Sequence, residues 1–198
     1  MNGILEKIKA FATDAHGNQK RKFTNESYII HPIRVMDICK HYTDNFSILA
    51  AALLHDVLED TNVSESVLQE FLEEVTNAEE ANRTLNLVLD LTDVYIKEDF
   101  PNMNRRKRKN KEAERLQKVD PDAQTVKYAD IIDNAIDITK HDKNFALKFL
   151  NEVRFLLTKM DKGNNELYER AKVTVSNCLK ELKKINKVER KGINKMKR

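Results

Sequence analysis

The residues of this chain best suited to chemistry stand in the run 51–60. There a purely apolar stretch, Ala51-Ala52-Leu53-Leu54, passes without a break into His55-Asp56-Val57-Leu58-Glu59-Asp60. A helix that buries Leu53 and Leu54 and keeps turning must carry some of His55, Asp56, Glu59 and Asp60 inward, because residues three and four apart share a face. A lone buried carboxylate shifts its pKa and neutralises, so several acidic groups at the end of an apolar helix call for a compensating cation. Mixed imidazole and carboxylate donors suit Mn, Fe or Zn better than Ca. A cation so held can lower the pKa of a water and stabilise developing negative charge. Glu59, one helical turn beyond His55, is placed to handle that water's proton.

The elements that must position these groups are helices. Only four glycines and three prolines punctuate 198 residues, and 40% of the chain is hydrophobic. The expectation is an all-α fold in one domain, 1–198. Apolar periodicity predicts a first helix over 3–15 and a polar loop over 22–27. Next comes Tyr28-Ile29-Ile30-His31-Pro32. A residue before proline is pushed toward extended geometry while proline suits a first helical turn, which puts His31 at the entrance of a helix through Val35 and Ile38. Further helices are expected over 47–60, 63–75 and 85–91, and an exposed, strongly basic one over 105–118. Asp120-Pro121 reads as an N-cap and first helical residue of a helix through Val126, Ala129, Ile132 and Ile136, on which Asp130 and Asn134 lie one turn apart. Two last helices, 144–160 and 166–188, flank a loop at 161–165.

In order along the chain, these elements present His31, His55-Asp56 and Asp130. This order resembles the HD superfamily of metal-dependent phosphohydrolases, whose fold is an all-helical bundle. Four motifs sharpen the resemblance: His16-Gly17-x-Gln19-x-Arg21-Lys22, Tyr28-Ile29-x-His31-Pro32-Ile33, Leu53-Leu54-His55-Asp56-x-x-Glu59-Asp60-Thr61 and Val126-Lys127-x-Ala129-Asp130-x-x-x-Asn134. They are similar to the hydrolase domain of RelA/SpoT-type proteins, in the form of the stand-alone small alarmone hydrolases, and lie within 16–134. The resemblance implies removal of the 3′-pyrophosphate from guanosine 3′,5′-bis(diphosphate), ppGpp or pppGpp, with one Mn²⁺ as cofactor. It implies His31, His55, Asp56 and Asp130 as metal ligands and Glu59 with Asp60 as the pair that orients and deprotonates water. Asn134 would contact the nucleotide. Arg21 and Lys22 are candidates to hold phosphate or guanine, and Arg105 and Arg106 to line the mouth and steer an anion inward.

The segment after Asp130 departs from that pattern. RelA/SpoT-type hydrolases usually carry a cation next to the aspartate, His or Tyr before the asparagine, and an arginine three residues beyond it. Here Ile131 and Asp137 replace the cations and Asp133 adds a negative charge. This should weaken binding of a highly charged anion unless Arg21, Lys22 or the basic helix compensates. The enzymatic alternative is therefore hydrolysis of another nucleotide, a dinucleotide phosphate or a nucleoside 5′-phosphate. A non-catalytic nucleotide receptor is the other class, and the intact Glu59-Asp60 pair speaks against it.

Taken alone, His55 would read as a core histidine, and Glu59 and Asp60 as a solvated helix end, although acidic groups there oppose the macrodipole. Together with His31-Pro32 and Asp130 they read as a metal site. His16 fits a structural role as well as binding, while His41 and His141 read as helix-end or surface residues. The run 105–111 fits a solvated face as well as substrate contact. No apolar run reaches the length of a membrane span, and the N-terminus lacks the features of a secretory signal, so a cytoplasmic protein is expected. Cys39 and Cys178 form no CxxC pair and read as buried small hydrophobes. From Lys180 to Arg198, nine Lys or Arg face only Glu181 and Glu189. Without an aromatic residue to stack a base, this tail argues for a solvated helix end and not for a nucleic-acid partner. Residues 139–198 are expected to supply packing helices or a contact in a homo-oligomer.

Overall fold

A computed structural model describes the backbone of residues 2–196 and the side chains of residues 3–185. The described chain is helical, with no strand; one isolated antiparallel bridge joins Lys20 and Ser27. The helices are α1 (Asn2–His16), α2 (Ile30–Lys40), α3 (Phe46–Leu54), α4 (Val57–Asp60), α5 (Glu65–Val75), α6 (Ala78–Leu91), α7 (Arg105–Leu116), α8 (Pro121–His141), α9 (Lys143–Leu157) and α10 (Asn165–Met196). Short polar residues set most starts. Asn45, Ser64, Asn77, Asn104, Asp120 and Asp142 each accept a backbone N–H of the first turn that follows, satisfying donors a helix start leaves orphaned. The Asp120-Pro121 start is as expected.

Four local differences from the expected elements matter. The helix expected over 47–60 breaks at His55-Asp56, where Asp56 takes φ −99° and ψ −4°. In an unbroken helix adjacent side chains diverge by about 100°; the break lets both converge on one point. His31 is helical, because α2 begins at Ile30. Pro32 is then the third helical residue, where its missing N–H costs no intrahelical bond. Helix α6 starts two turns earlier than its apolar stretch suggests, held by the Asn77 cap. Helix α7 is not simply exposed, since it buries Glu112, Ala113 and Leu116.

The buried residues form a contiguous core around α3 and α8. Helix α3 is apolar on every side and is enclosed by α1, α2, α6 and α8. Helix α8 packs against α2, α3, α6, α9 and α10, and buries Tyr128, Ile131, Ile132 and Ala135 among others. Each large aliphatic side chain so buried contributes roughly 1.5–3 kcal/mol, which fixes α8, with Asp130 on it, and the end of α3 that His55 and Asp56 follow. Cys39 and Cys178 are buried and free. Among the described residues no helix is long and apolar enough to cross a membrane. From residue 186 onward the basic tail lies outside the described side chains.

The loop between α9 and α10 is tied down on α8. Lys162, Gly163 and Asn164 donate backbone N–H groups to Gln124 Oε1, Tyr128 Oη and Thr125 Oγ1. A Cβ at Gly163 would lie 2.7 Å from the Tyr128 ring and 2.8 Å from the Thr125 nitrogen. Gly163→Ala is therefore expected to destabilise the protein by about 1–3 kcal/mol, measured by urea unfolding. An unchanged midpoint would mean the loop does not approach α8 this closely.

Candidate metal centre

Three elements bring four polar side chains to one buried point. At the α3–α4 break, His55 Nδ1 donates to the Ala52 carbonyl at 2.9 Å, which fixes the proton on Nδ1 and leaves Nε2 to face inward. That Nε2 is buried without a hydrogen-bond partner. It stands 3.2 Å from Asp56 Oδ2 and 3.9 Å from Asp130 Oδ1. From α2, His31 places Nε2 3.2 Å from the same Asp130 oxygen and 3.6 Å from the same Asp56 oxygen. His31 and His55 are 1% and 2% exposed. Ligand atoms of His31, His55 and Asp56 all lie within 4.8 Å of one another. Two inward imidazole nitrogens, one of them orphaned, beside two carboxylates form a donor set suited to a divalent transition metal.

The charges follow from that crowding. Burial opposes an imidazolium at His31, but its hydrogen bonds to Asp130 and Asp133 and the charge of Asp56 outweigh burial and raise its pKa to about 9. Burial also opposes ionisation of Asp56 and Asp130. The charges of His55 and His31 at Asp56, and the charge of Lys127 with the His31 hydrogen bond at Asp130, hold both below the ordinary carboxylate range. A metal bound here would compete with protons for the imidazoles, and the carboxylates would stay ionised for either.

Glu59 and Asp60 stand at the rim on α4. Glu59 Oε2 accepts the Asp93 backbone N–H at 3.2 Å. Although the residue borders solvent, desolvation of its carboxyl and the charge of Asp93 push it up to about 7, with Lys127 opposing. Asp60 Oδ2 lies 2.6 Å from the Tyr28 hydroxyl, which also lies 2.8 Å from Asp56 Oδ2. Tyr28 therefore ties the rim carboxylate of Asp60 to Asp56 in the buried cluster. Its ring stacks on buried His16 at 4.6 Å, and His16 Nδ1 pairs with Gln19 at 2.9 Å.

The expected anion contacts are distributed differently. Arg21 donates to Asp137 at 2.9 Å and to Asn134 Oδ1 at 3.1 Å. Asn134 in turn donates to Asp130. Asp137 thus occupies the guanidinium offered to a phosphate. Arg105 makes a two-pronged ion pair with Glu152 at 2.8 Å on each side. Lys22 and Arg105, 83 positions apart in sequence, meet at one ring: Lys22 Nζ lies 5.2 Å and Arg105 Cζ 5.6 Å from the centre of Phe145. Arg106 faces a neighbouring cleft with Lys148 and Asn151. Asp133, expected to burden an incoming anion, instead bonds His31 Nδ1 at 2.7 Å and faces Arg34 at 3.5 Å and Arg21 at 3.9 Å. Beside Asp130 opens a cavity of ≈ 110 Å³, whose lining includes Lys127, Lys109 and Arg105 as well as Ile131, Phe149 and Val153.

Sequence reasoning singled out none of Tyr28, Asp93, Lys127 and Asp133 as functional. Lys127 Nζ lies 2.9 Å from Asp130 Oδ2. Half-buried among Asp130, Asp93 and Glu59, it stays charged against the cost of desolvation. Tyr28 and Lys127 lie inside quoted motifs, which was the available signal. Asp93 carried none, since it meets Glu59 only through the fold. His41 and His141 are exposed helix-end residues, as expected.

Residues 28–135 match the HD domain family. The chain is 34% identical over 142 residues to the guanosine-3′,5′-bis(diphosphate) 3′-pyrophosphohydrolase MESH1 of Xenopus tropicalis, covering 69% of this chain and 70% of that protein. It is 44% identical over 73 residues to the guanosine-3′,5′-bis(diphosphate) 3′-pyrophosphohydrolase of Aquifex aeolicus, covering 36% of this chain and 10% of that one. The chain thus spans about a tenth of the length of such bacterial relatives. Among solved structures, a metazoan ortholog of SpoT that hydrolyses ppGpp superposes with a TM-score of 0.72 at 21% identity, covering 90% of this chain and 94% of that one.

Proposed function

This chain belongs to the HD-domain family, in its RelA/SpoT-type hydrolase branch, and from that premise we propose that it removes the 3′-pyrophosphate of guanosine 3′,5′-bis(diphosphate). The observation that carries the reading is the convergence of His31, His55, Asp56 and Asp130 on one buried point with Glu59 and Asp60 at its rim. His31, His55, Asp56 and Asp130 would hold Mn²⁺. When bound, the ion supplies Lewis-acid stabilisation of charge on the phosphoryl oxygens and a lowered pKa for water. In this reading the whole chain acts as one hydrolase domain, in the cytoplasm where its nucleotide substrate is found.

Glu59 accepts the proton of the attacking water, and a carboxyl near neutrality is well matched to that task. Asp60, held by Tyr28, orients the water. The new bond forms from the water oxygen to the phosphorus attached at the 3′-oxygen. The bond from that phosphorus to the 3′-oxygen breaks, pyrophosphate departs, and the ribose oxygen takes up a proton to become hydroxyl. Lys127 and Asn134 hold the two oxygens of Asp130. Lys22 and Arg105, which meet at the Phe145 ring, are offered to phosphate or guanine, and Arg106 adds positive field at the mouth.

One observation favours a less charged nucleotide as a second reading. Arg21, Arg105 and Lys109 are all paired with carboxylates, and Ile131 presents an apolar wall beside the site. The two are separated by product identity. Protein reconstituted with Mn²⁺ is expected to convert guanosine tetraphosphate to GDP and pyrophosphate, faster than with Mg²⁺ or Zn²⁺. Inert tetraphosphate together with orthophosphate release from a nucleoside monophosphate would replace the first reading by the second.

A further inference from the structure

Helix α8 brings a second acidic residue to the metal centre from the side away from the open space. Asp133 follows Asp130 by three positions, so both point from one face of α8 toward α2. Asp130 meets His31 Nε2 at 3.2 Å, while Asp133 meets the other ring nitrogen, Nδ1, at 2.7 Å. The imidazole is gripped at both ends by one helix. Asp133 is 8% exposed and is itself held between Arg34 at 3.5 Å and Arg21 at 3.9 Å.

A neutral imidazole carries one ring proton, and only the nitrogen without it can ligate. His55 has this choice made by a backbone carbonyl. His31 has no such carbonyl at Nδ1; the group there is the Asp133 carboxylate. We propose that Asp133 is a positioning residue that fixes the His31 proton on Nδ1 and aims Nε2 at the metal. A carboxylate acceptor also makes the imidazole a more electron-rich ligand than a carbonyl does, so the two histidines are unequal donors. Arg34 and Arg21 hold Asp133 in place, which gives the Arg21–Asp133–Arg34 cluster a use that does not involve substrate.

The test uses Mn²⁺ alone on the chelator-stripped full chain, by isothermal titration, and is independent of the substrate assignment. Asp133→Ala is expected to weaken Mn²⁺ binding by about 10–100-fold. Asp133→Asn retains an oxygen able to accept the Nδ1 proton and should recover part of the loss. Equal affinity of Asp133→Ala and the unmodified protein would overturn the proposal. So would an Asp133→Asn variant as weak as Asp133→Ala, because charge balance with the arginines would then account for the effect. A measurement that needs no variant guards against misfolding. In the unmodified protein loaded with diamagnetic Zn²⁺, long-range nitrogen–proton NMR correlations should place the His31 proton on Nδ1; a proton on Nε2 would refute the assignment.

Discussion

His55→Ala is expected to abolish stoichiometric Mn²⁺ binding and to lower turnover at least about a thousandfold. The side chain supplies an inward Nε2 that has no hydrogen-bond partner and is locked in its tautomer by the Ala52 carbonyl. Removing it leaves Asp56 and Asp130 facing each other with one imidazole fewer between them. Transition-state stabilisation by a catalytic metal is several kcal/mol, and each 1.36 kcal/mol is a factor of about ten, which sets the scale of the loss. Metal content by mass spectrometry and product release should fall together. His41→Ala, at an exposed helix end, should leave both within about twofold. Full metal occupancy in His55→Ala would remove His55 from the ligand set.

Glu59→Gln separates water handling from metal binding. The amide keeps the shape and can still accept the Asp93 N–H, so fold and metal content should be unchanged while kcat drops about 10²–10⁴-fold. The pH profile carries the sharper sign. Glu59 is pushed up to about 7 in the metal-free protein, and a base works only when ionised. The rate should therefore rise with pH until Glu59 is deprotonated and then level off. A bound cation lowers this pKa, so the limb lies at or below 7. In Glu59→Gln the residual rate should lose that limb. If the limb and the rate both survive, another group accepts the proton.

The two expectations rest on residues of different legibility. His55 and Glu59 stand four apart in one run, so their neighbourhood follows from helical periodicity alone. The run could not reveal that the helix breaks between them. Every residue of 47–60 is compatible with a helix, and the break follows from packing of α3 against four neighbours while Asp56 turns to meet His31. The basic segment was readable as a helix start from Asn104, yet its charges were not. Whether Arg105 meets a phosphate or Glu152 depends on α9, 47 positions away.

The departures after Asp130 make the same point. In sequence, Asp133 and Asp137 are two negative charges near an anion site. In the structure Asp137 takes Arg21, and Asp133 takes His31 with Arg34 beyond it. Net charge counted along the chain does not say which partner each carboxylate takes, because a buried charge acts chiefly on the partner it touches.

By itself the sequence determined the all-α fold, through long apolar periods bounded by Asn, Ser and Asp caps, and it pointed to a metal site, through the types and order of His31, His55, Asp56 and Asp130. Periodicity and capping are local, and they survive in any fold that buries the same faces. Only the tertiary structure decided which nitrogen of each histidine faces the site, that Tyr28 joins Asp56 to Asp60, that Lys127 backs Asp130, and which cations are already spent on carboxylates. Those facts are distances between helices far apart in sequence, set by how α2, the α3–α4 break and α8 pack together.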